Sequence, residues 1–274
     1  MKQLFISADI EGVAGVVSPT ESHPKERDYD KARRWMTNEV IAACEAAQEF
    51  GIDRIVIADS HGDGDNLLID DLPEHAEVIR SWPRELLMMQ GIETGPFVGA
   101  ALIGYHTGSQ APSGVLAHTF AGDVQELRLN GKVMSETLFN AAVAGHFGVP
   151  IIMASGDDAY ASNVKDVLPA VETATVKWAH GTLSARTTTP ANACRQVADT
   201  LTRALGRQDD IEPYRIDGPI RMEIEIANRV KAEILSYVPT VERLGSHRIM
   251  LEVKDIVSAS RFLNFYFYVK TGNS

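Results

Sequence analysis

The sequence predicts an α/β protein with a mostly parallel sheet flanked by helices and a smaller C-terminal α+β domain. Over the first two thirds of its 274 residues, apolar runs that suit buried strands alternate with segments of helical periodicity. The segment DRIVIADSH has a continuous apolar centre, which is typical of a parallel strand covered on both faces. RMEIEIA alternates apolar and charged residues, which indicates a half-exposed antiparallel strand. We therefore place one domain at residues 1–185 and a second at residues 186–274.

Three strands and two helices are predicted in the first hundred or so residues. The first strand begins near Phe5 and ends in the carboxylates Asp9 and Glu11. Residues 29–50 carry apolar side chains at helical spacing and precede a glycine that ends the helix. The other elements are the strand DRIVIADSH, the short helix PRELLMMQGI and the strand PFVGAALIGYH.

The remaining elements complete the two predicted domains. VLAHTF and DVQELRLNGK are predicted to form a hairpin pair, and the second segment closes on an Asn-Gly turn. The rest of the first domain contains the helix SETLFNAAVAGHFG, the strand VPIIMASGDD and the helix ASNVKDVL. In the second domain we expect a helix at 190–205, strands in YRIDGPIRMEIEIAN and HRIMLEVKD, and a closing amphipathic helix in IVSASRFLNFYFYV.

Composition limits the class of partner. The chain has 26 basic and 37 acidic residues, a formal charge of -11, which argues against nucleic acid or an anionic membrane as the main partner. Cys44 and Cys194 lie far apart in predicted helices, so we expect neither a disulfide framework nor a cysteine-based zinc site. The first apolar run is too short for a signal peptide, and no apolar stretch approaches the roughly 20 residues that span a bilayer. We expect a soluble, cytoplasmic protein.

Side chains that bind metals follow three of the predicted strands. Asp9 and Glu11 end the first strand, Asp59 and His61 the second, and His106 the third. The carboxyl ends of the strands in an open α/β sheet line one edge, where ligands bind, so these side chains are expected to converge. Carboxylates mixed with imidazoles suit zinc, manganese or iron better than calcium or magnesium. The set is large enough for two ions.

Each of these residues also has a simpler interpretation. Acids at strand ends often cap the next helix or face solvent. His118 lies between apolar neighbours in a predicted strand, where either acid-base catalysis or core packing is consistent with the pattern. Glu136 opens a predicted helix, where it can interact with the helix dipole or bind metal. The chain lacks a P-loop, a GxGxxG motif and a GxSxG motif, so we expect no nucleotide cofactor.

The ordered motifs ADIEG, DSH, GYH, AH and SE, followed by ASGDD, resemble the zinc-dependent, self-compartmentalising D-aminopeptidases. The resemblance is dense over the N-terminal two thirds and looser beyond. It implies a dinuclear zinc site with two Zn²⁺ per subunit, in which Asp9 bridges both ions. It further implies that Glu11 and His61 complete one ion's ligands, and His106 and Glu136 the other's.

The resemblance also implies a function. His118 matches the family's catalytic histidine, as an acid-base or a nucleophilic group, and Asp59 is expected to orient His61. The reaction would be hydrolysis of the N-terminal amide of short D-amino-acid peptides such as D-Ala-D-Ala by a zinc-activated water. The family assembles into homodecamers of two stacked pentameric rings, which this chain is expected to share.

Other classes of function remain open on sequence alone. A different small amide is compatible with the same metal ligands. A magnesium phosphohydrolase would require a basic residue near the phosphate, and neither DIEGVAG nor DSHGDGD supplies one. A non-catalytic binding protein would leave the coincidence of His61, His106 and Glu136 without an explanation.

Overall fold

The computed structural model describes residues 1–271. Its strands are β1 Gln3–Ala8, β2 Arg54–Asp59, β3 Ala76–Ile79, β4 Phe97–Ile103, β5 Val124–Leu129, β6 Lys132–Val133, β7 Ile151–Asp157, β8 Glu172–Gly181, β9 Ser184–Thr187, β10 Ile220–Ile226, β11 Glu242–Arg243 and β12 Arg248–Val253. Its α-helices are α1 Pro19–Ser22, α2 Tyr29–Phe50, α3 Glu136–His146, α4 Asp158–Val167, α5 Pro190–Leu205, α6 Arg229–Leu235 and α7 Ile256–Tyr268.

The strands form two sheets. The larger sheet has the order β3-β2-β1-β4-β7-β8-β9, and neighbouring strands from β3 to β8 run parallel. Strand β9 is antiparallel to β8 at one edge. The smaller sheet is antiparallel, in the order β11-β12-β10-β5-β6. The predicted α/β class, with a mostly parallel sheet and a smaller antiparallel one, is confirmed.

Both faces of the large sheet are covered. Alternate side chains of β1 point to opposite faces, so Leu4 and Ile6 pack with α2 and α5 whereas Phe5 packs on the other side. That second side holds α3, α7 and the small sheet in one apolar cluster. Burial on both faces explains why the strands of the large sheet are apolar throughout.

Several predicted elements are confirmed with their boundaries. Helix α2 spans the expected residues and ends at Gly51, whose φ of 95° is left-handed and favours glycine. Helices α5 and α7 also lie where the periodicity places them. The alternating segment becomes β10, with apolar side chains buried and charged ones partly exposed.

Two predicted elements are wrong, for the same backbone reason. PRELLMMQGI forms short 3₁₀ turns instead of an α-helix, since Leu87 has a φ of 51°. VLAHTF is a loop instead of a strand, since Leu116 and Phe120 have φ values of 55° and 60°. Neither a helix nor a strand accommodates positive φ. The strand partner of DVQELRLNGK is therefore β6, beyond the Asn130-Gly131 turn, together with β10.

The expected domain boundary near residue 186 does not coincide with the boundary between the sheets. Strands β5 and β6, from the middle of the chain, pair with the C-terminal strand β10. Helix α5, which lies beyond that boundary, packs on α2 over the large sheet. The physical reason is that sheet membership follows hydrogen bonding between distant segments, which local periodicity does not encode.

Two further expectations concern the cysteines and the helices. Cys44 and Cys194 are both free, the first buried and the second partly exposed, as the absence of a disulfide framework predicts. Within residues 1–271, none of the helices combines the length and the apolar character needed to cross a bilayer.

Candidate metal centre

The structure brings the six predicted site residues into two adjacent clusters. In each cluster, one potential ligand atom per residue lies within 4.8 Å of the others. The first cluster contains Asp9, Glu11 and His61, and the second contains His106, His118 and Glu136. Except for His118, whose side chain is 31% exposed, these side chains are at most 11% exposed.

Strand ends and loops place these residues at one edge of the large sheet. Asp9 follows β1 directly, His61 lies just beyond β2, and His106 lies just beyond β4. Strand β1 ends at Ala8, so Glu11 lies in a turn. The alternation of strand side chains therefore does not explain why Asp9 and Glu11 are close. The turn folds Glu11 back toward His61 instead.

Glycines allow the ligand segments that follow β1 and β4 to touch. The Gly12 amide donates a hydrogen bond to the Gly104 carbonyl at 2.7 Å. A Cβ at Gly12 would lie 1.9 Å from the Tyr105 carbonyl oxygen, and one at Gly104 would lie 2.2 Å from the Asp9 carbonyl oxygen. Larger residues are therefore excluded where the loop after β1 meets the loop after β4.

The second cluster is completed from α3 and the loop before β5. Ser135 caps α3 by accepting a hydrogen bond from the Leu138 amide at 3.3 Å, which fixes Glu136 as the first helical residue. Glu136 Oε1 accepts a hydrogen bond from the Phe120 amide at 2.6 Å. The carboxylate thus faces the loop that carries His118, instead of solvent at the helix end.

Each of the three imidazoles has one nitrogen beside a backbone carbonyl. His61 Nε2 lies 2.5 Å from the Ser22 carbonyl oxygen. The Nδ1 atoms of His106 and His118 each lie 2.9 Å from a carbonyl oxygen, those of Thr107 and Leu116. We assign the proton of each neutral ring to that nitrogen, which leaves the other nitrogen with a lone pair.

The remaining ring nitrogens face carboxylates. His61 Nδ1 lies 3.2 Å from Asp9 Oδ1 and 3.0 Å from Glu11 Oε2. His106 Nε2 lies 3.4 Å from Asp9 Oδ2 and 3.5 Å from Glu136 Oε1. Lone pairs that face anionic oxygens repel them unless a proton or a cation lies between. Asp9 contributes to both clusters, because each of its oxygens faces a different histidine.

Three buried atoms in the site lack any hydrogen-bond partner within the described part of the chain. They are Asp9 Oδ2, Glu11 Oε2 and His106 Nε2. Buried polar atoms are rarely left unpaired, since each costs desolvation energy. Carboxylate oxygen and imidazole nitrogen are the donors that zinc prefers. The unpaired atoms and the donor set therefore fit a metal ion at each cluster.

Electrostatics point the same way. Burial alone would raise the pKa of Asp9, but the hydrogen bonds and charges of His106 and His61 hold it well below its usual range. Burial alone would lower the pKa of His106, but the negative charge of Glu136 and the contact with Asp9 raise it to about 10. Burial opposes the same shift at His61, whose pKa Glu11 and Asp9 raise well above its usual value. The site therefore attracts positive charge strongly.

Asp59 does not orient His61 through the imidazole, contrary to the prediction. It accepts hydrogen bonds from Asn66 Nδ2 at 2.6 Å and from the Leu67 amide at 2.7 Å. Asn66 Nδ2 also donates to the His61 carbonyl at 2.7 Å. Asp59 therefore fixes the main chain of His61 through Asn66, while the Ser22 carbonyl orients the ring. Every residue has a backbone carbonyl, so the sequence does not show which carbonyl orients the ring. Asn66 lies five residues beyond His61, outside the DSH motif.

The residues GDD, 156–158, lie at the end of β7, and Asp157 has a structural role. Asp157 caps α4 by accepting a hydrogen bond from the Tyr160 amide at 2.7 Å. Its second oxygen accepts one from the Val115 amide at 2.7 Å. Asp157 thus ties down the loop that leads to His118, at a distance from the two clusters.

A cavity of 710 Å³ opens onto the clusters. Asp9, Glu11, His61, His118 and Glu136 line it. Its other walls combine apolar side chains with a few charged ones, and they include Trp82, Met88, Leu116, Phe120, Phe267, Asp63, Asp123 and Lys231. The cavity gives His118 direct access to a ligand, whereas His106 does not line it.

Comparisons with known proteins identify the family and the fold of the chain. The family model of the peptidase M55 family, described as D-aminopeptidase, matches residues 1–265. A D-aminopeptidase of Bacillus subtilis (strain 168) is 30% identical over 259 residues, which cover 94% of this chain and 93% of that protein. A solved structure described as "Zn-dependent D-aminopeptidase DppA from Bacillus subtilis, a self-compartmentalizing protease" superposes with a TM-score of 0.94 at 28% identity, covering 99% of this chain and 100% of that one.

The resemblance inferred from the short motifs is thereby confirmed along nearly the whole chain. The match extends through the small sheet and α7, which the motifs covered only loosely. The chain belongs to the peptidase M55 family of D-aminopeptidases.

Proposed function

We propose that the chain is a zinc-dependent aminopeptidase that hydrolyses the N-terminal amide of short peptides of D-amino acids, such as D-Ala-D-Ala. Two zinc ions per subunit would be held, one by Asp9, Glu11 and His61 and the other by Asp9, His106 and Glu136. The observation that carries the proposal is Asp9, whose two oxygens each face the lone pair of a different buried imidazole.

The side chains of the site divide the chemistry between them. When bound, zinc supplies Lewis-acid polarisation of a carbonyl and acidifies water. The protein supplies a rigid set of donors, because Ser22, Thr107 and Leu116 fix the three rings through backbone carbonyls.

His118 is proposed as the group that moves the proton. Its Nδ1 donates to the Leu116 carbonyl, so Nε2 is free to accept a proton from the nucleophile and return it to the departing amine. Its position on the cavity wall and its exposure of 31% give that atom access to substrate. Proton transfer of this kind contributes about 10²–10⁴-fold to turnover.

The cavity has the size that a small substrate needs. Its volume of 710 Å³ falls within the range of about 300–1,000 Å³ found for small-ligand sites. Five carboxylates line it, against one lysine or arginine. That residue, Lys231, is already paired with Asp123 at 2.9 Å. Within the described part of the chain, the cavity therefore has no free lysine or arginine to hold a phosphate group, which a phosphohydrolase would require.

Assembly is part of the proposal. The B. subtilis protein is described as self-compartmentalizing, and we propose that this chain likewise forms a homo-oligomer, a decamer of two stacked pentameric rings. Light scattering coupled to gel filtration measures this directly, and a monomeric or dimeric mass at micromolar concentration would contradict it.

The first experiment compares D-Ala-D-Ala with L-Ala-L-Ala in protein reconstituted with zinc, by measuring release of free alanine. We expect hydrolysis of the D-peptide alone, its loss on chelation, and its recovery when zinc is restored. Protein shown to hold two zinc ions that cleaves neither peptide would contradict the peptidase assignment and point to another small amide. Zinc content below one ion per chain after reconstitution would contradict the metal centre itself.

A further inference from the structure

The loop that carries Glu11 is tied to one buried lysine. Lys177, in β8, is fully buried. Its Nζ donates hydrogen bonds to the carbonyl oxygens of Glu11, of Val13 at 3.1 Å and of Val16 at 2.6 Å. An ammonium has three N–H donors, so these three carbonyls use its entire donor capacity.

Burial of the Lys177 ammonium costs free energy. A buried lysine loses its hydration, and burial lowers the pKa of Lys177 to about 8 against the opposing charges of Asp157 and Glu39. Its partners are main-chain atoms of a turn immediately after a ligand, instead of a carboxylate in an ion pair. The ammonium thus holds the backbone of the turn in place by binding three carbonyl oxygens, as a bound monovalent cation would.

Two other contacts hold the same loop through its amides. The Ala14 amide donates to Glu39 Oε1 at 3.0 Å, and the Gly15 amide donates to Thr187 Oγ1 at 2.8 Å. Carbonyls 11, 13 and 16 therefore point to Lys177, while amides 14 and 15 point to α2 and β9. Side chains that do not line the cavity therefore set the position of this loop.

Glu11 depends on this backbone support. Its side chain is 6% exposed, and its Oε2 lacks a hydrogen-bond partner among the described residues. Within residues 1–271, Oε2 therefore has no hydrogen bond comparable to those by which backbone carbonyls fix the histidine rings. The direction of the carboxylate follows from where the main chain of the turn lies.

We propose that Lys177 is a positioning residue for Glu11, and that its ammonium preorganises the half of the metal site formed by Asp9, Glu11 and His61. The inference rests on the proposed two-ion centre. It predicts that substitution of Lys177 weakens one zinc ion more than the other. His106 follows β4 and Glu136 opens α3, and neither residue is hydrogen-bonded to Lys177.

The test is a zinc titration of the metal-free protein, followed by competition with a chromophoric chelator. We expect the wild-type chain to bind two zinc ions. In Lys177→Met we expect one ion to keep its affinity within about threefold and the other to weaken by about 10–100-fold, the range found when support of a metal ligand is lost. Lys177→Gln, which keeps a polar donor, should weaken the same ion by less.

Lys165, at an exposed position of α4, controls for the loss of a lysine–carbonyl hydrogen bond elsewhere in the chain. Lys165 Nζ donates to the Val171 carbonyl at 2.5 Å, next to α4 and away from the ligand loop. Lys165→Met should therefore bind both ions as the wild type does. The thermal midpoint of each metal-free variant, measured alongside, reports on the fold.

A double-variant cycle shows whether Lys177 acts through Glu11. If it does, Lys177→Met adds little to the loss already present in Glu11→Gln, but adds fully to the loss in Glu136→Gln. Equal weakening of both ions, no weakening, or loss of the fold in both Lys177 variants would overturn the inference. A wild-type chain that binds fewer than two ions would contradict the proposed centre instead, and the inference would still be decided by whether Glu11→Gln and Lys177→Met weaken the same ion.

Discussion

The rings of His106 and His118 stack on each other, with centroids 4.1 Å apart and planes inclined by 12°. Both Nε2 atoms lie near the same carboxylate oxygen of Glu136, at 3.5 Å and 3.7 Å. The His106 side chain is 2% exposed, whereas that of His118 is 31% exposed and borders the cavity. One carboxylate therefore serves a buried imidazole suited to hold metal and an accessible one suited to exchange protons.

This asymmetry predicts opposite outcomes for two neighbouring substitutions. His118→Ala should keep both zinc ions and lower kcat by about 10²-fold or more, since a general acid-base group is lost. His106→Ala should lose one ion. Zinc content by atomic absorption and kcat on D-Ala-D-Ala check both, and added imidazole should partly restore turnover only in His118→Ala. Loss of zinc from His118→Ala would show that this residue is a ligand.

Asp9→Asn should remove both ions, because the two Asp9 oxygens face one histidine of each cluster. An amide keeps the size of the side chain but removes the charge, and it replaces one of the two oxygens that face the histidines with an N–H donor. The expected zinc content is well below one ion per chain at micromolar free zinc. Asp63→Asn is the control, since Asp63 is an exposed residue of the same cavity outside both clusters. Two tightly bound ions in Asp9→Asn would rule out the bridging role.

Asn66→Ala should weaken zinc binding although Asn66 lies in neither cluster. Its Nδ2 links Asp59 to the His61 carbonyl, so its loss frees the segment that carries the ligand. The expected loss of zinc affinity is about tenfold or more, as for other supports of metal ligands. Tyr29→Phe removes only the Tyr29 hydroxyl bond to Asn66 Oδ1, at 2.6 Å, and should have a smaller effect. Equal affinities in wild type and Asn66→Ala would contradict this role.

Glu39 should make the free energy of unfolding fall as pH rises from 4.5 through 7. Burial raises its pKa from 4.5 to about 7, although the Ala14 amide and the charge of Lys177 oppose the shift. Below pH 4.5 the carboxyl is protonated in both states, and above it the unfolded chain releases its proton first. The protonated carboxyl therefore contributes fully to the free energy of unfolding at pH values below its unfolded-state pKa. This contribution is lost as the pH rises through the folded-state pKa.

Urea unfolding of the metal-free protein at pH 5 and pH 8 tests this. Glu39→Gln cannot ionise at this position. Its free energy of unfolding should therefore rise by on the order of 3 kcal/mol relative to that of the wild type as the pH increases from 5 to 8, since one pKa unit corresponds to about 1.4 kcal/mol. Glu45→Gln, at an exposed position of the same helix, should change with pH as the wild type does. A pH-independent difference between wild type and Glu39→Gln would contradict the shifted pKa.

Local patterns in the chain were enough to place most helices and four strands of the large sheet, β1, β2, β4 and β7, but not β3, β8 or β9. Helix α2 was predictable because apolar spacing and a terminal glycine are both local signals. The loop around His118 was not, because positive φ at Leu116 and Phe120 follows from contacts with distant segments. One of those contacts is the bond from the Leu116 amide to the Thr182 carbonyl.

The candidate site shows the same division. That Asp9, His61 and His106 would meet followed from their places at the ends of parallel strands, which a sequence encodes through strand order and period. That Asp59 acts through Asn66, and that carbonyls orient the rings, did not follow from the sequence. These hydrogen bonds depend on loop geometry to within a few tenths of an ångström, both for a nearby partner such as Leu116 and for a distant one such as Ser22.

The sequence by itself determined the fold class, the family and the donor atoms available to a metal, since these depend on periodicity and on side-chain chemistry. The tertiary structure decided which nitrogen of each histidine is free, that β5 joins β10 and that Lys177 holds the turn of Glu11. The physical reason is chain closure. Residues 11 and 177 are 166 positions apart and are brought together by the large sheet, so no local propensity reports their contact.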